Sequence, residues 1–252
     1  MGERIIGIMG AMPEEVDGII ALLDNPHQAT IGMRTYTSGM LNGYQVVVVF
    51  SRWGKVAASA TVSTLIHVYH ITELIFTGVA GAINPNLKIG DIVIAKRLIQ
   101  HDMDARPLMP RFEIPLLGVT WFECPDQHIN AIESAILPII EKEALYTIIG
   151  HETLDEFGIT TPNIILGDVA SGDQFFASEI QKQALVGHLP EVLCVEMEGA
   201  AVAQVCYEHD IPFTIIRAIS DTAGDDSHID FRAFIQKVSS RYSVCIVQHL
   251  LS

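Results

Sequence analysis

Apolar and polar positions change period along this chain, and the changes mark out alternating strands and helices. The run RIIGIMG (4–10) is a short β segment. Pro13 then stands where a first helical residue tolerates it, opening a helix through EEVDGIIALL. YQVVVVF (44–50) is apolar on both faces, which predicts a strand covered from two sides. KVAASATVSTLIHVYH (55–70) sets small and apolar residues at helical spacing. ELIFTGVAGAI (73–83) reads as a strand ending in a glycine-bearing turn, and GDIVIAKRLI (90–99) as another strand.

The second half repeats the rhythm. DQHINAIESAILPIIEK (126–142) is helical, with Pro138 kinking or shortening it. LYTIIG (145–150) and NIILGDVASG (163–172) read as strands, and SEIQKQALVGH (178–188) as a helix with a serine cap. VLCVEM (192–197) is a strand, EGAAVAQVCYEHD (198–210) a close-packing helix, FTIIRAISD (213–221) a strand, and residues 231–251 a closing amphipathic helix. The proline-rich ARPLMPRFEIPLLG (105–118) and HETLDEFGITTP (151–162) read as loops. The alternation predicts one α/β domain over residues 1–252, a three-layer α/β/α arrangement with a central mixed, twisted sheet.

Composition narrows the partners. The 252 residues are 49% hydrophobic and 18% charged, with mean hydropathy +0.34 on the whole chain, the balance of a packed core. Formal net charge is −15 and no Lys/Arg cluster is present, which argues against nucleic acid and anionic membrane as partners. No apolar run reaches the roughly 20 residues that cross a bilayer. IIGIMGAM is followed at once by Pro13, Glu14 and Glu15, unlike a secretory signal. Cys124, Cys194, Cys206 and Cys245 lack CxxC spacing, so free thiols and a cytoplasmic location are expected.

Candidate chemistry gathers at strand ends, where α/β sheets bind ligands. Glu15 lies just past the first strand, Glu198 after VLCVEM, and Asp221 after FTIIRAIS. Each alone suits a helix-terminal carboxylate; three in like positions suggest one pocket. His101-Asp102-Met103-Asp104 and Asp225-Asp226-Ser227-His228 offer metal-ligand types without zinc spacing, so no metal is expected. TGVAGAI lacks the G-x-G-x-x-G dinucleotide fingerprint.

The motifs GAMPEEV (10–16), GKVAAS (54–59), TGVAGAI with LKIGDIV (77–93), HDMD (101–104), SGDQF (171–175), VEMEGAAVAQVC (195–206) and RAISDTAGDDSH (217–228) span nearly the whole chain. In that order they resemble the 5′-methylthioadenosine/S-adenosylhomocysteine nucleosidases, a hydrolytic branch of the nucleoside phosphorylase superfamily. The resemblance implies a cofactor-independent homodimer that cleaves the N-glycosidic bond of a 5′-modified adenosine. It casts Asp221 as the acid protonating adenine N7, Glu15 as the base acting on water, and Glu198 as the acceptor for the ribose 2′- and 3′-hydroxyls. Met197 would pack on the sugar, Phe175 would stack on adenine, and the Phe176 backbone would read the base edge. Trp53 and Phe231 would line the 5′ side, with Met12, Val79 and Ala223 also counted in the substrate pocket. For the aromatic side chains, core packing is the competing reading.

Glu196 belongs to the same candidate set, but an extended segment turns it away from Glu198, which favours a structural role. Ser220 and Arg217 would orient Asp221, with a plain salt bridge as the alternative for Arg217. The 105–118 loop matches the segment that, in relatives, crosses a dimer interface and caps the partner's 5′ site. Val79 stands where relatives usually carry Ser or Thr, and 105–118 and 151–162 follow the family pattern loosely. Three rival readings stay open. A phosphorylase on this fold would need phosphate-binding arginines, for which Arg34 and Arg52 are the candidates. The others are hydrolysis of 6-amino-6-deoxyfutalosine and a non-catalytic nucleoside binder.

Overall fold

The computed structural model describes residues 4–224 and 231–252. Its first part runs β1 (Ile5–Gly10), α1 (Pro13–Ile20), β2 (Asp24–Ile31), β3 (Arg34–Leu41), β4 (Tyr44–Phe50), α2 (Lys55–Tyr69), β5 (Glu73–Ala82), β6 (Ile92–Gln100) and β7 (Phe122–Glu123). There follow α3 (Asp126–Ile136), α4 (Lys142–Ile148), α5 (His151–Glu156), β8 (Ile164–Ser171), α6 (Glu179–Val186), β9 (Val192–Glu196), α7 (Gly199–Glu208), β10 (Phe213–Asp221), α8 (Phe231–Phe234) and α9 (Ser240–Leu250).

Among the described residues, all ten strands join one mixed sheet in the order β10-β6-β8-β9-β5-β1-β4-β3-β2, with β7 beside β6. β10 pairs with β5 as well as β6, so β5, β10, β6, β8 and β9 close into a ring. The remaining strands extend from β5 as an open wing. Apolar residues on both faces explain the layering. α2 and α7 pack on one side through Ala58, Val62, Leu65, Ala200, Val202 and Ala203. On the other side α1 and α9 cover β1 and β4, and α3 and α4 cover β6. The expected α/β/α arrangement is present.

Local signals explain several boundaries. Ser178 Oγ accepts the Gln181 N–H at 3.3 Å, capping α6 as expected. α3 stops at Ile136, and Pro138 sits in a 3₁₀ turn over Leu137–Ile140. The closing helix is interrupted by a π-turn at Ile235–Ser239. Residues 105–118 hold no helix or strand beyond one bridge between Ile114 and Val119. All four cysteines are unpaired.

Three expectations need correction, and one element went unread. LYTIIG lies in α4 and its end, where Leu145 and Ile149, four residues apart, both turn into the core. Residues 151–162 contain α5. The hairpin β2–β3 went unread because its strands are largely polar and β2 is mostly exposed. TGVAGAI forms no turn: β5 continues to Ala82, and its glycines lie inside a strand. The Asp225–His228 segment lies outside the described residues.

Candidate active site

Parallel pairing of β1, β5 and β10 brings the C-terminal ends of these three strands to one side of the sheet. β9 reaches the same place from the opposite direction, with Val195 beside Gly81. A cavity of about 630 Å³, open mouth included, lies there. Its walls include Met12, Glu15, Trp53, Val79, Phe175, Phe176, Glu196, Met197, Glu198, Arg217, Ser220, Asp221 and Phe231. Glu15, Glu198 and Asp221, 206 residues apart at the extremes, therefore share one pocket.

The strand glycines make room for these acids. A Cβ at Gly78 would stand 3.1 Å from Glu15 Oε1, and one at Gly81 would stand 2.9 Å from Asp221 Oδ1. The second contact is closer than real Cβ atoms come, so a side chain at Gly81 would displace the Asp221 carboxylate or Ala223. The β5–β10 register slips between Ile219 and Asp221, an irregularity of the kind that re-aims a side chain at a sheet edge.

Glu15 occupies the first turn of α1. Its Oε2 accepts the N–H groups of Ala11 at 2.6 Å and Met12 at 3.0 Å, while buried Oε1 has no partner. Burial pushes the carboxyl up to about 7, against the pull of Arg217 and the two N–H donors. Glu198 accepts the Gly54 N–H at 2.7 Å. Burial first, then the adjacent Glu196 carboxylate, raises its pKa. Asp221 takes the Ser220 hydroxyl at 2.7 Å on Oδ2 and the Ala223 N–H at 2.7 Å on Oδ1. Burial raises its pKa and outweighs those donors and the Lys182 charge.

Glu196 and Arg217 form a different kind of unit. Arg217 Nη2 meets Glu196 Oε2 at 2.7 Å, and Nε meets the same oxygen at 3.2 Å. The Gly199 N–H donates to both Glu196 oxygens, and the Ser171 hydroxyl to Oε1. Arg217 Nη1 donates to the carbonyls of Phe76 and Ile216, and the guanidinium lies 4.1 Å from the Phe76 ring centroid. Of the two roles left open for Arg217, the salt bridge is the one observed, and its partner is Glu196. Asp221 is oriented by Ser220 and Ala223 instead.

The aromatic side chains sit towards the mouth. Trp53 is 56% exposed and Phe175 39% exposed, which removes plain core packing as an account of either. Phe231 stands edge-on to both, with centroids 6.4 and 5.5 Å away. Phe176 is buried and packs edge-on against His101. Asp102 accepts Lys55 Nζ at 2.6 Å and the Asp173 N–H at 3.0 Å, so HDMD braces the SGDQF loop.

Ala223 does not line the cavity; it sits behind Asp221 and contributes its backbone. Gln174 does line it and was missed, although SGDQF contains it. Arg34 and Arg52 are absent from the cavity lining. Arg34 donates to the carbonyls of Ser51, Gly32 and Ala57. Among the described residues, Arg217 is the one cation in the wall, and Glu196 neutralises it.

Fold and pocket together define a protein of the phosphorylase superfamily, whose family model matches residues 5–251. A 5′-methylthioadenosine/S-adenosylhomocysteine nucleosidase of Shewanella oneidensis is 35% identical over 247 residues, 98% of this chain and 95% of its own length. The S. pneumoniae nucleosidase of that name, solved with the transition-state inhibitor MT-ImmA, superposes with TM-score 0.84 at 31% identity, covering 98% of each chain. A futalosine hydrolase of Helicobacter pylori gives TM-score 0.82 at 30% identity, covering 98% of this chain and 97% of its own. Within the superfamily, this chain belongs to the 5′-methylthioadenosine/S-adenosylhomocysteine nucleosidase family.

Proposed function

We propose that the protein hydrolyses the N-glycosidic bond of 5′-methylthioadenosine, S-adenosylhomocysteine or a similar 5′-modified adenosine, releasing adenine and the 5′-modified ribose. One observation carries this reading: four buried carboxylates line a single cavity, and its lone described cation is already paired with one of them, Glu196. Such a wall favours a sugar ring that becomes positive as the bond breaks. It offers a phosphate dianion little to hold it, which favours water over phosphate as the nucleophile.

In this reading, Asp221 donates a proton to N7 of the departing adenine. Burial supports that role, because an ordinary aspartate is ionised near neutrality. Glu15 Oε1, buried and unpartnered, takes the proton from water that attacks C1′. Glu198 accepts the ribose hydroxyls, and Met197 packs on the sugar. Phe175 stacks on the base, while Trp53 and Phe231 face the 5′ substituent. Adenine release needs no cofactor.

The same proposal has the whole chain acting as one catalytic domain, a cytoplasmic homodimer serving methionine salvage. Unpaired cysteines support a reducing compartment. Exposed Leu108 and Leu116 in the 105–118 loop support a partner contact. Among the described residues, no helix is long and apolar enough to cross a membrane.

The test is incubation with 5′-methylthioadenosine, S-adenosylhomocysteine and 6-amino-6-deoxyfutalosine, each with and without phosphate. Free adenine and the unphosphorylated 5′-modified ribose, 5-methylthioribose in the case of 5′-methylthioadenosine, formed at the same rate without phosphate, are the expected products. Strict phosphate dependence with a sugar 1-phosphate product contradicts the reading. The third substrate tests the hydrolase reading raised by the H. pylori neighbour.

A further inference from the structure

Three segments far apart in the chain meet beside the cavity in a closed circuit of hydrogen bonds. Lys55 is the first residue of α2, Asp102 stands just past the end of β6, and Asp173 lies in the SGDQF loop. Lys55 Nζ donates to Asp102 Oδ1 at 2.6 Å, and the Asp173 N–H to Asp102 Oδ2 at 3.0 Å. The Lys55 N–H closes the circuit on Asp173 Oδ1 at 2.8 Å. The Lys55 and Asp102 side chains are only 16% and 23% exposed, so water screens their pairing less than it would on open surface.

A lysine is an unfavourable choice for the start of a helix. Its charge opposes the α2 dipole, and the first turn of α2 has no acidic residue of its own. The compensating carboxylates come from other segments: Asp102 meets the ammonium, and Asp173 meets the backbone N–H. The circuit also adjoins the cavity at two points. The N–H of Gly54, next to Lys55, donates to Glu198 Oε1 at 2.7 Å. Gln174 and Phe175, next to Asp173, line the cavity wall. Gly54 holds φ at 91°, and a Cβ there would stand 3.0 Å from Asp173 Oδ1, so the start of α2 lies tightly against the loop.

We infer that Lys55 and Asp102 are positioning residues: they hold the start of α2, and with it the Gly54 N–H on Glu198, in register with the loop that carries Phe175. The inference rests on the nucleosidase reading and deepens it, by naming what sets the distance between the grip on the sugar and the grip on the base. Neither side chain lines the cavity, so both act through Gly54 and Asp173. Base and sugar are joined by the bond that breaks, so the two grips must match that bond's geometry. A nucleoside held by its base, with Glu198 out of line, loses the pull on its ribose hydroxyls as the sugar becomes positive.

The experiment measures kcat/KM for 5′-methylthioadenosine and its 2′-deoxy analogue in the wild type, Lys55→Met, Asp102→Ala and the double variant. The analogue lacks a hydroxyl that Glu198 accepts, and comparing every enzyme on both substrates cancels its different intrinsic reactivity. Lys55→Met should lose about 10-fold on the ribonucleoside, as for a weakened hydrogen bond to a charged group, and about twofold on the analogue. The ratio of the two values therefore falls about fivefold. Asp102→Ala should lower the ratio in the same direction although it removes the opposite charge, whereas a long-range field would move the two variants oppositely. The double variant should fall no further than the worse single one, because both changes open one circuit. Lys55→Arg should restore most of the ratio, and Asp102→Asn, which keeps one oxygen for a donor, should show a smaller fall. Partial unfolding lowers both substrates alike and leaves the ratio unmoved. A ratio unchanged in the single variants, shifted oppositely by them, or lowered in the double by the product of the two, overturns the inference. The nucleosidase reading survives that outcome, provided the wild type releases adenine from 5′-methylthioadenosine. A wild type that releases adenine from neither substrate sinks the reading and the inference with it.

Discussion

Glu196 and Glu198 stand two positions apart and are both buried, yet their surroundings are opposite. Glu196 belongs to the floor of the cavity, where Arg217, the Ser171 hydroxyl and the N–H groups of Glu198 and Gly199 converge on its two oxygens. Glu198 belongs to the wall and takes one N–H, from Gly54. The floor is a finished electrostatic unit. The wall keeps capacity in reserve, as Glu15 does with its unpartnered Oε1. A buried carboxylate paired with a buried guanidinium holds a structure together; one without a counter-charge is available to a ligand.

That contrast can be broken by substitution. Glu196→Gln should have the largest effect on folding, because it leaves the Arg217 guanidinium, 1% exposed, without its counter-charge. Breaking such a pair costs about 4 kcal/mol, or roughly 10 °C in Tm for a chain of this size, readable by thermal melting. Glu15→Gln should do the reverse. Its carboxyl is lifted from 4.5 to about 7, so the folded state binds the proton more tightly than the unfolded chain. Stability is therefore lost as pH rises from about 4.5 to about 7, and removing the charge should restore about 3 kcal/mol at pH 8. The same variant should lose turnover, and wild-type kcat/KM should fall as pH drops below about 7, where the base is protonated. Glu198→Gln should lose about 100-fold in kcat/KM without the melting loss of Glu196→Gln, because burial disfavours its charge as it does that of Glu15. A Glu198→Gln melt as poor as that of Glu196→Gln would erase the distinction between floor and wall.

Much of the site was legible because its residues sit in short, local patterns. Glu15 follows Pro13 at a helix start, Asp221 ends an apolar strand, and Glu198 opens a small-residue helix. What escaped depends on contacts between distant segments. The partner of Arg217 is 21 residues away, on β9, which meets β10 only through the shared neighbour β5, and no period in the chain encodes it. The glycines of TGVAGAI suggested a turn, since their real purpose, clearance for Glu15 and Asp221, exists only after three strands have paired. LYTIIG carries strand-like residues but is pulled into a helix by its burial under α9 and against Ile136 and Ile139. The β2–β3 hairpin was invisible for a simpler reason: an exposed strand needs no apolar alternation.

The central claim is that Asp221 hands its proton to the leaving base, and an activated leaving group tests it most directly. Wild type and Asp221→Asn should be compared on 5′-methylthioadenosine and on p-nitrophenyl 5-methylthioriboside, whose phenolate departs without protonation. The account predicts a loss of about 10³-fold or more on the adenine substrate and less than about 10-fold on the phenolate. Equal losses on the two substrates would contradict it.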